Sequence, residues 1–330
     1  MPVPATELVD RGWTEGWRPD PVIDVPEWAD ANRVLTSKSA HIIGPWVTDL
    51  FPFSREWMEN VSPSSPVEET VVMSARQMAK TDGMVLNVIG YWMACRSGPV
   101  QVVQPTIENG KIWRKQRLTP MIEACLALRS RIGRTRSRDS SDTLLFLEYP
   151  GGTLRIGGAN SSSSLRIAPA RVVVGDELDE WTEDADGHGD PLAIVKQGAQ
   201  NFPDRKIALA GNPGIRGASR TEREFNRGDR RRYFIPCPHC SALGRQEASM
   251  DILTWQGRDW FGTEDGSHHR IEWEKPVPQG AEPVAYMVCS KCDRRVDEHH
   301  KTWMLAHGEW RPTAVGNRIT RSYQISGLYS

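Results

Sequence analysis

The segment from Ser74 to Thr81 constrains the fold of this chain more than any other. It reads Ser-Ala-Arg-Gln-Met-Ala-Lys-Thr, follows the apolar run 71–73 and precedes a helix-like apolar stretch, 83–93. Lys-Thr at a strand-to-helix junction is typical of a phosphate-binding loop, in which the lysine contacts phosphates and the hydroxyl binds Mg²⁺. The N–H groups and dipole of the helix start also favour anions. The segment therefore predicts a P-loop.

The segment departs from the usual P-loop pattern at both glycines. Ser74 and Ala79 stand in their places, and a left-handed φ is less accessible to alanine than to glycine. Both residues are small, so a phosphate can still approach the backbone. A plain strand-to-helix turn with a solvated Lys80 would have the same sequence. The residues that we assign to nucleotide binding are Ser74, Ala75, Arg76, Gln77, Met78, Ala79, Lys80 and Thr81.

An acidic pair follows a second strand-like run. Residues 172–174 are three valines, as expected for a buried parallel strand, and Asp176 and Glu177 come directly afterwards. Ligands bind at the carboxyl ends of such strands. We expect Asp176 to bind Mg²⁺ and Glu177 to orient and deprotonate an attacking water, because phosphoryl transfer depends mainly on positioning. Capping of the following helix is the alternative role for this pair.

Strands and helices alternate from about residue 67 to 215, which predicts an α/β fold with a mostly parallel sheet and helices on both faces. The strand 206–210 ends in Gly-Asn-Pro, where Asn212 either senses a γ-phosphate or belongs to an ordinary turn. A Pro-Gly-Gly turn predicts an antiparallel pair beside the parallel core. The predicted strands are 69–73, 99–103, 143–149, 152–157, 171–175 and 206–210, and the predicted helices are 82–95, 107–128 and 190–200.

Four of the six cysteines form two Cys-x-x-Cys pairs, Cys237 with Cys240 and Cys289 with Cys292. Two such pairs are typical of a closed, structural Cys₄ zinc site of the ribbon type. Disulfides or unrelated thiols are the alternatives, and the absence of a secretory signal indicates a reducing compartment, which disfavours disulfides. The cysteines therefore predict a Zn²⁺-binding module inserted after the α/β core.

The motifs in this order resemble the large terminase subunit of tailed phages, in its lambda-like branch. The resemblance runs from about Arg33 to the C-terminus, and its most specific parts are Asp-Glu-Leu-Asp at 176–179 and Tyr-Phe-Ile-Pro-Cys-Pro-His-Cys at 233–240. It implies an additional-strand, RecA-like P-loop NTPase that hydrolyses ATP with Mg²⁺ to drive viral DNA into a procapsid. Its implied partners are double-stranded DNA, the small terminase subunit, the portal protein and further copies in a ring, in the host cytoplasm and transiently at the portal.

The resemblance also implies roles for individual residues. It makes Lys80 and Thr81 the phosphate and Mg²⁺ ligands, and Asp176 and Glu177 the metal and catalytic acids. The further implied residues are Asn212 in the coupling segment, Arg76 and Arg166 for charge stabilisation, and Trp46, Phe51 or Phe53 for packing on adenine.

We expect four parts along the chain: an N-terminal arm and ATPase lead-in (1–66, with the arm reaching to about 30), an ATPase core (67–232), a zinc module (233–310) and the start of a connection to a nuclease domain (311–330). The family's nuclease domain is expected to be absent from this chain, whereas the full-length protein would also be an endonuclease.

The overall charge of the chain limits where DNA could bind. The net charge is −1, so any DNA contact must be local, and the arginine-rich segments 129–138 and 227–232 are either such contacts or solvated faces.

Two other functions are compatible with these motifs. A helicase or translocase of another P-loop class shares the nucleotide motifs. A zinc-ribbon nucleic-acid-binding protein with a degenerate ATPase fold is the other alternative. No apolar run is long enough to predict a membrane span.

Overall fold

The computed structural model describes residues 23–37, 42–132, 143–166, 169–241, 250–259, 268–274, 280 and 283–330. The helices are α1 (Val25–Asn32), α2 (Arg55–Asn60), α3 (Asn87–Ala94), α4 (Ile107–Trp113), α5 (Thr119–Ala124), α6 (Leu126–Ile132), α7 (Ser162–Arg166), α8 (Pro191–Ala199), α9 (Arg220–Arg227), α10 (Pro238–Ser241) and α11 (Lys301–Ala306). Two π-helical turns, Thr81–Leu86 and Arg114–Leu118, lead into α3 and α5. Short 3₁₀ turns span Thr48–Leu50, Pro52–Ser54, Leu178–Glu180, Glu298–His300 and Gly327–Tyr329.

The strands form three sheets, of which one dominates. The strands are β1 (Val34–Leu35), β2 (Gly44–Pro45), β3 (Glu69–Ser74), β4 (Val100–Gln104), β5 (Phe146–Tyr149), β6 (Gly152–Gly158), β7 (Val172–Gly175), β8 (Lys206–Gly211), β9 (Arg231–Pro236), β10 (Met250–Asp251), β11 (Leu253–Trp255), β12 (His269–Trp273), β13 (Ala285–Val288), β14 (Arg295–Val296), β15 (Glu309–Arg311) and β16 (Thr320–Ile325). The large sheet has the order β10-β9-β16-β3-β8-β7-β4-β6-β5, and β15 also pairs with β9.

The large sheet is mostly parallel, as the sequence predicts. Strands β9, β16, β3, β8, β7, β4 and β6 run parallel to their neighbours. The antiparallel partners β5, β10 and β15 lie at the edges or pair onto β9. The predicted antiparallel pair around the Pro-Gly-Gly turn is confirmed as β5 and β6, although β5 begins at Phe146, three residues later than predicted.

Helices cover both faces of this sheet. Side chains alternate along a strand, so Val72 joins a core with α1, α3, α5 and α6, whereas its neighbour Val71 joins a second core with α7 and α8. The same alternation holds in β7, where Val174 faces the first core and Val173 the second. The two buried cores explain why these strands are continuous apolar runs.

The strand order brings three chain segments to one edge of the sheet. The P-loop strand β3 ends at Ser74, β8 ends at Gly211 and β7 ends at Gly175. Strand β8 separates β3 from β7. Because parallel strands share a carboxyl edge, the residues that follow these three strands meet there.

The sequence did not reveal β16, which lies between β9 and β3 inside the large sheet. Residues Thr320–Ile325 pair with Glu69–Ser74 in parallel register over six residues. This strand belongs physically to the same sheet as the P-loop. The sequence of β16 alternates polar residues, including Ser322 and Gln324, and therefore does not look like a buried strand, although both side chains are buried in the structure.

Two other expectations need correction. An arm reaching to about residue 30 is wrong from residue 25 onward, because α1 buries Val25, Trp28 and Ala29 in the first core. The single helix predicted over 107–128 is instead three helices with a π-helical turn, and Cys125 adopts an extended conformation between α5 and α6.

A smaller four-stranded sheet, β11-β12-β13-β14, forms the region in which the zinc module was predicted. Cys237 lies directly before α10 and Cys240 lies within it, whereas Cys289 and Cys292 lie in the turn between β13 and β14. The two Cys-x-x-Cys pairs are therefore carried by separate turns that face one another.

Candidate active site

The P-loop segment turns sharply between β3 and the π-helical turn that begins at Thr81. Gln77 and Ala79 have φ values of 63° and 52°, in the left-handed region. At Ala79 this is where the usual motif has glycine, so alanine accepts the glycine-like conformation. Ser74 Oγ is buried and has no hydrogen-bond partner among the described residues. Such an unpaired hydroxyl beside the loop fits a site for a polar ligand.

Lys80 is the centre of the polar contacts at this edge. Its side chain is 7% exposed, and its Nζ donates to Glu177 Oε1 at 2.9 Å and to Asn212 Oδ1 at 2.9 Å. Asn212 Nδ2 in turn donates to Glu177 Oε2 at 3.3 Å. The ends of β3, β7 and β8 thus contribute one residue each to a closed triangle.

Asp176 is buried directly beside that triangle. Burial raises the pKa of Asp176 to about 6; Lys80 opposes the shift, and the neighbouring Glu177 carboxylate adds to it. The carboxylate accepts from the backbone N–H of Glu177 at 3.1 Å, and Glu177 itself has a left-handed φ of 52°. A buried carboxylate with a raised pKa beside a lysine is typical of a functional site.

Asp179 is a site residue to which the sequence analysis gave no role. Its carboxylate accepts from the backbone N–H of Gly214 at 2.6 Å, from Ser219 Oγ at 3.0 Å and from the backbone N–H of Thr221 at 2.7 Å. Burial alone would raise its pKa, but these hydrogen bonds outweigh it and lower the pKa of Asp179. Asp179 therefore ties the acidic motif to the segment that follows β8. Its place in the Asp-Glu-Leu-Asp motif was the available signal.

A cleft of about 860 Å³ runs along the loop. The loop residues, Glu177 and Asn212 line it together with Trp46 and Phe51, whose rings stack at 5.3 Å between centroids. Phe53, the third candidate for adenine packing, is instead buried against Trp57 and is absent from the described lining of the cleft. An apolar wall opposite a phosphate-binding loop is suited to a nucleotide base.

The structure separates the two arginines that were candidates for charge stabilisation. Arg76 is exposed within the loop and lines both the cleft and a neighbouring cavity of about 530 Å³. Arg166 is exposed at the end of α7 and is not among the described residues that line either one. Arg117 lines the cleft although the sequence gave no reason to select it, since its π-helical turn was predicted as ordinary helix.

The four paired cysteines lie together. All their sulfur atoms are within 4.8 Å of one another. The Cys237–Cys292 and Cys240–Cys289 sulfur pairs are 3.9 and 3.8 Å apart. Tetrahedral Zn²⁺ with bonds of about 2.3 Å would hold its sulfurs about 3.8 Å apart, so the cluster fits this ion. His239 is directed elsewhere, with its Nε2 3.0 Å from Arg295 O.

The second arginine-rich segment is largely consumed by intramolecular ion pairs. Arg227 pairs with Glu224, Arg231 with Asp229 and Glu56, and Arg232 with Asp259. Such pairing favours its interpretation as a structural element over a DNA contact. Of the first segment, residues 133–138 lie outside the described residues.

Comparison with known proteins assigns the chain to a protein family. A family model described as the ATPase domain of the phage terminase large subunit gpA matches residues 40–310. The chain belongs to this family. The terminase large subunit of Escherichia phage lambda is 28% identical over 237 residues, which are 71% of this chain and 36% of that protein. This chain thus spans about a third of the length of that curated relative.

Solved structures of other large terminases are also similar at a low level. The large terminase of a thermophilic bacteriophage aligns with 51% of this chain and 39% of that chain, at 14% identity and a TM-score of 0.36. The ATPase domain of the Thermus phage P74-26 large terminase aligns with 56% of this chain and 71% of that chain, also at 14% identity and 0.36. Among the helices that the structure describes, each is too short or too polar to cross a bilayer.

Proposed function

We propose that this ATPase domain hydrolyses ATP to move double-stranded DNA into a viral procapsid. The observation that carries this proposal is the Lys80–Glu177–Asn212 triangle at the ends of β3, β7 and β8. The separation of β3 from β7 by β8 supports an additional-strand P-loop NTPase. Membership of a terminase ATPase family then selects DNA as the cargo. The small terminase subunit, the portal protein and a ring of copies are the partners that we propose with it.

The loop and the acidic pair divide the work. The backbone of residues 74–79 and Lys80 would bind the phosphates, while Thr81 and Asp176 would hold Mg²⁺. Bound Mg²⁺ would neutralise charge that develops on the phosphates. The buried Asp176 and the unpaired Ser74 hydroxyl at this edge fit that requirement. Arg76, which is exposed in the cleft, is the better placed arginine for charge stabilisation in cis; a role for Arg166 would have to be exerted on a neighbouring copy.

Glu177 would act as the general base, and its contacts suggest how it is controlled. Lys80 has three N–H donors, of which two are directed at Glu177 and Asn212. A phosphate oxygen that reaches Lys80 competes with Glu177 for this ammonium group. Loss of that ion pair would free the glutamate to accept a proton from water. Asn212, which contacts both residues, would report the exchange to the segment after β8 through its neighbours Pro213 and Gly214.

We further propose that Cys237, Cys240, Cys289 and Cys292 bind a structural Zn²⁺. The sulfur spacing supports a tetrahedral thiolate site. With four thiolates the ion has no free position for a substrate. Its role would be to join α10 to the β13–β14 turn.

Steady-state ATP hydrolysis with Mg²⁺, with and without double-stranded DNA, tests the main proposal. Lys80→Ala should lower turnover at least about a hundredfold, because the phosphates lose their charged ligand. Glu177→Gln should lower turnover similarly but retain ATP binding in calorimetry. DNA stimulation of the wild-type chain favours a packaging motor over a generic NTPase. Binding of DNA without any binding of ATP would favour the degenerate-ATPase alternative, and unwinding of a duplex would favour a helicase.

A further inference from the structure

A second basic site lies at the edge of the sheet opposite the P-loop. Arg96, Arg131 and Arg171 surround a hollow of about 510 Å³, together with Ser97 and the Pro150–Gly151 turn. We call this the arginine hollow. Its walls come from the chain after α3, from α6, from the β5–β6 turn and from the residue before β7. The nucleotide motifs use none of these residues.

The charges in the arginine hollow are unbalanced. Arg171 and Arg96 share one carboxylate, Asp204, and the Arg96–Asp204 separation is 3.8 Å. Arg131 donates from Nη2 to Ser97 Oγ at 2.6 Å and has no carboxylate partner within the described parts of the chain. Three guanidinium groups therefore face one acid, although the chain as a whole has a net charge of −1.

The guanidinium groups are held in place and still have unused donors. Arg171 donates from Nη1 to Ser97 O at 3.2 Å, and its guanidinium lies 5.3 Å from the Trp92 ring centroid. The Nε atoms of Arg96 and Arg131 are buried and find no acceptor among the described residues. Those buried atoms are out of reach of a ligand, but a guanidinium carries five N–H donors, and among the described residues Arg131 donates only from Nη2, to Ser97 Oγ and Pro150 O, which leaves its Nη1 for an oxygen ligand. Planar, pre-oriented donors of this kind match phosphate oxygens.

We propose that the arginine hollow binds the phosphodiester backbone of double-stranded DNA. This inference rests on the proposed function for its choice of DNA as the polyanion. An isolated hollow could take any anion, but α6 also carries the exposed Arg129, which is not among the residues that line the hollow, so positive charge extends beyond it. A run of cations beyond a single site suits a repeating polyanion better than a lone phosphate.

The hollow is also joined to the nucleotide site by two strands. Strand β7 begins directly after Arg171 and ends directly before Asp176, and its neighbour β4 begins three residues after Ser97. DNA phosphates and ATP would thus be bound at opposite ends of the same pair of hydrogen-bonded strands.

The salt dependence of DNA binding tests the proposal, with a short duplex and the double variant Arg96→Gln, Arg131→Gln. Two lost phosphate contacts should reduce the slope of log affinity against log salt by about 2 between about 50 and 200 mM salt, and weaken binding about tenfold at the low end. The matched control, Lys111→Gln with Arg318→Gln, removes two positive charges outside the hollow and should change the slope by less than about half as much. Equal slopes for the two double variants would overturn the proposal.

Two further measurements separate the possible failures. Basal ATP turnover without DNA should be the same in the hollow variant and the wild type. If neither protein hydrolyses ATP, the result counts against the proposed function and not against the arginine hollow. In the wild-type chain, DNA should protect Arg96 and Arg131 from modification by phenylglyoxal, which requires no variant to fold. Unprotected arginines would refute the assignment, and loss of polyglutamate binding with DNA binding unchanged would assign the hollow to an acidic protein instead.

Discussion

Three residues around the triangle at the active site hold backbone conformations that their side chains disfavour. Gln77, Ala79 and Glu177 all have left-handed φ values between 52° and 63°. Such conformations cost of order 1 to 3 kcal/mol each and persist where the surrounding structure enforces them. Their concentration in one loop and one acidic motif agrees with a site built for ligand contacts. The loop therefore keeps a left-handed residue at Ala79, where the usual P-loop sequence has glycine.

The charged carboxylate of Asp176 should make the domain less stable at neutral pH than it would be with a neutral side chain at this position. Its pKa is raised to about 6 by burial, so above pH 6 the folded state carries a charged carboxylate at a cost of about 3 kcal/mol relative to the unfolded chain. The folded state binds more protons than the unfolded state between about pH 4 and 6, so this cost disappears as the pH falls through that window.

Asp176→Asn, without added metal, should therefore raise the free energy of unfolding at pH 8 by up to about 3 kcal/mol and by much less at pH 4. Urea titrations at the two pH values measure the difference, and the same variant should lose Mg²⁺-dependent turnover. Asp204→Asn is the matched control, because hydrogen bonds from Arg171 lower the pKa of Asp204 and its loss should destabilise the fold at pH 8. A stability gain in Asp176→Asn that does not depend on pH would contradict this account.

At the scale of elements, α1 and α3 pack closely enough to require a glycine. A Cβ atom on Gly90 would lie 2.3 Å from the Trp28 ring, whereas one on Gly83 would lie 3.4 Å from its nearest neighbour, Ser54. The rings of Trp28 and Tyr91 meet edge to face at 6.4 Å beside this contact. The N-terminal helix is thus part of the core that supports the P-loop.

Gly90→Ala should lower the midpoint of thermal unfolding, with a loss of about 1 to 3 kcal/mol, because the large Trp28 ring has to move. Gly83→Ala is the control, since its Cβ makes an ordinary contact and alanine favours a helical conformation. Calorimetry of both variants gives the comparison. Equal unfolding temperatures for the two would mean that α1 yields easily and is not part of the rigid core.

The elements that sequence analysis found and missed differ in where their hydrogen bonds and apolar contacts lie. Strands β3, β7 and β8 are short apolar runs buried on both faces, and their positions were predicted to within a residue or two. The meeting of Lys80, Glu177 and Asn212 followed from a shared sheet edge. Strand β16 was missed because its buried polar residues find their partners far away in the chain. The contacts of Asp179 were missed for the same reason, since they form only after the chain turns at Glu177.

At the scale of the whole molecule, the proposed zinc site should be needed for the small sheet but not for the large one. Cys289→Ser should abolish the binding of one Zn²⁺ per chain, measured by metal analysis of the purified protein, because three thiolates and a hydroxyl make a much weaker site. Cys95→Ser is the control, since Cys95 is buried in the main core and outside the cluster. Hydrogen exchange should increase in β11–β14 far more than in β3 or β7. Unchanged metal content in Cys289→Ser would refute the assignment.

The position of β16 also has a mechanical meaning. Its six residues run alongside Glu69–Ser74 in register, and its last residue, Ile325, is paired with Ser74 at the entrance of the P-loop. Tension applied along the axis of β16 would load these interstrand hydrogen bonds in shear, so that several have to stretch together instead of opening one after another. The strand is thus suited to carry force into the nucleotide loop without first peeling away from the sheet.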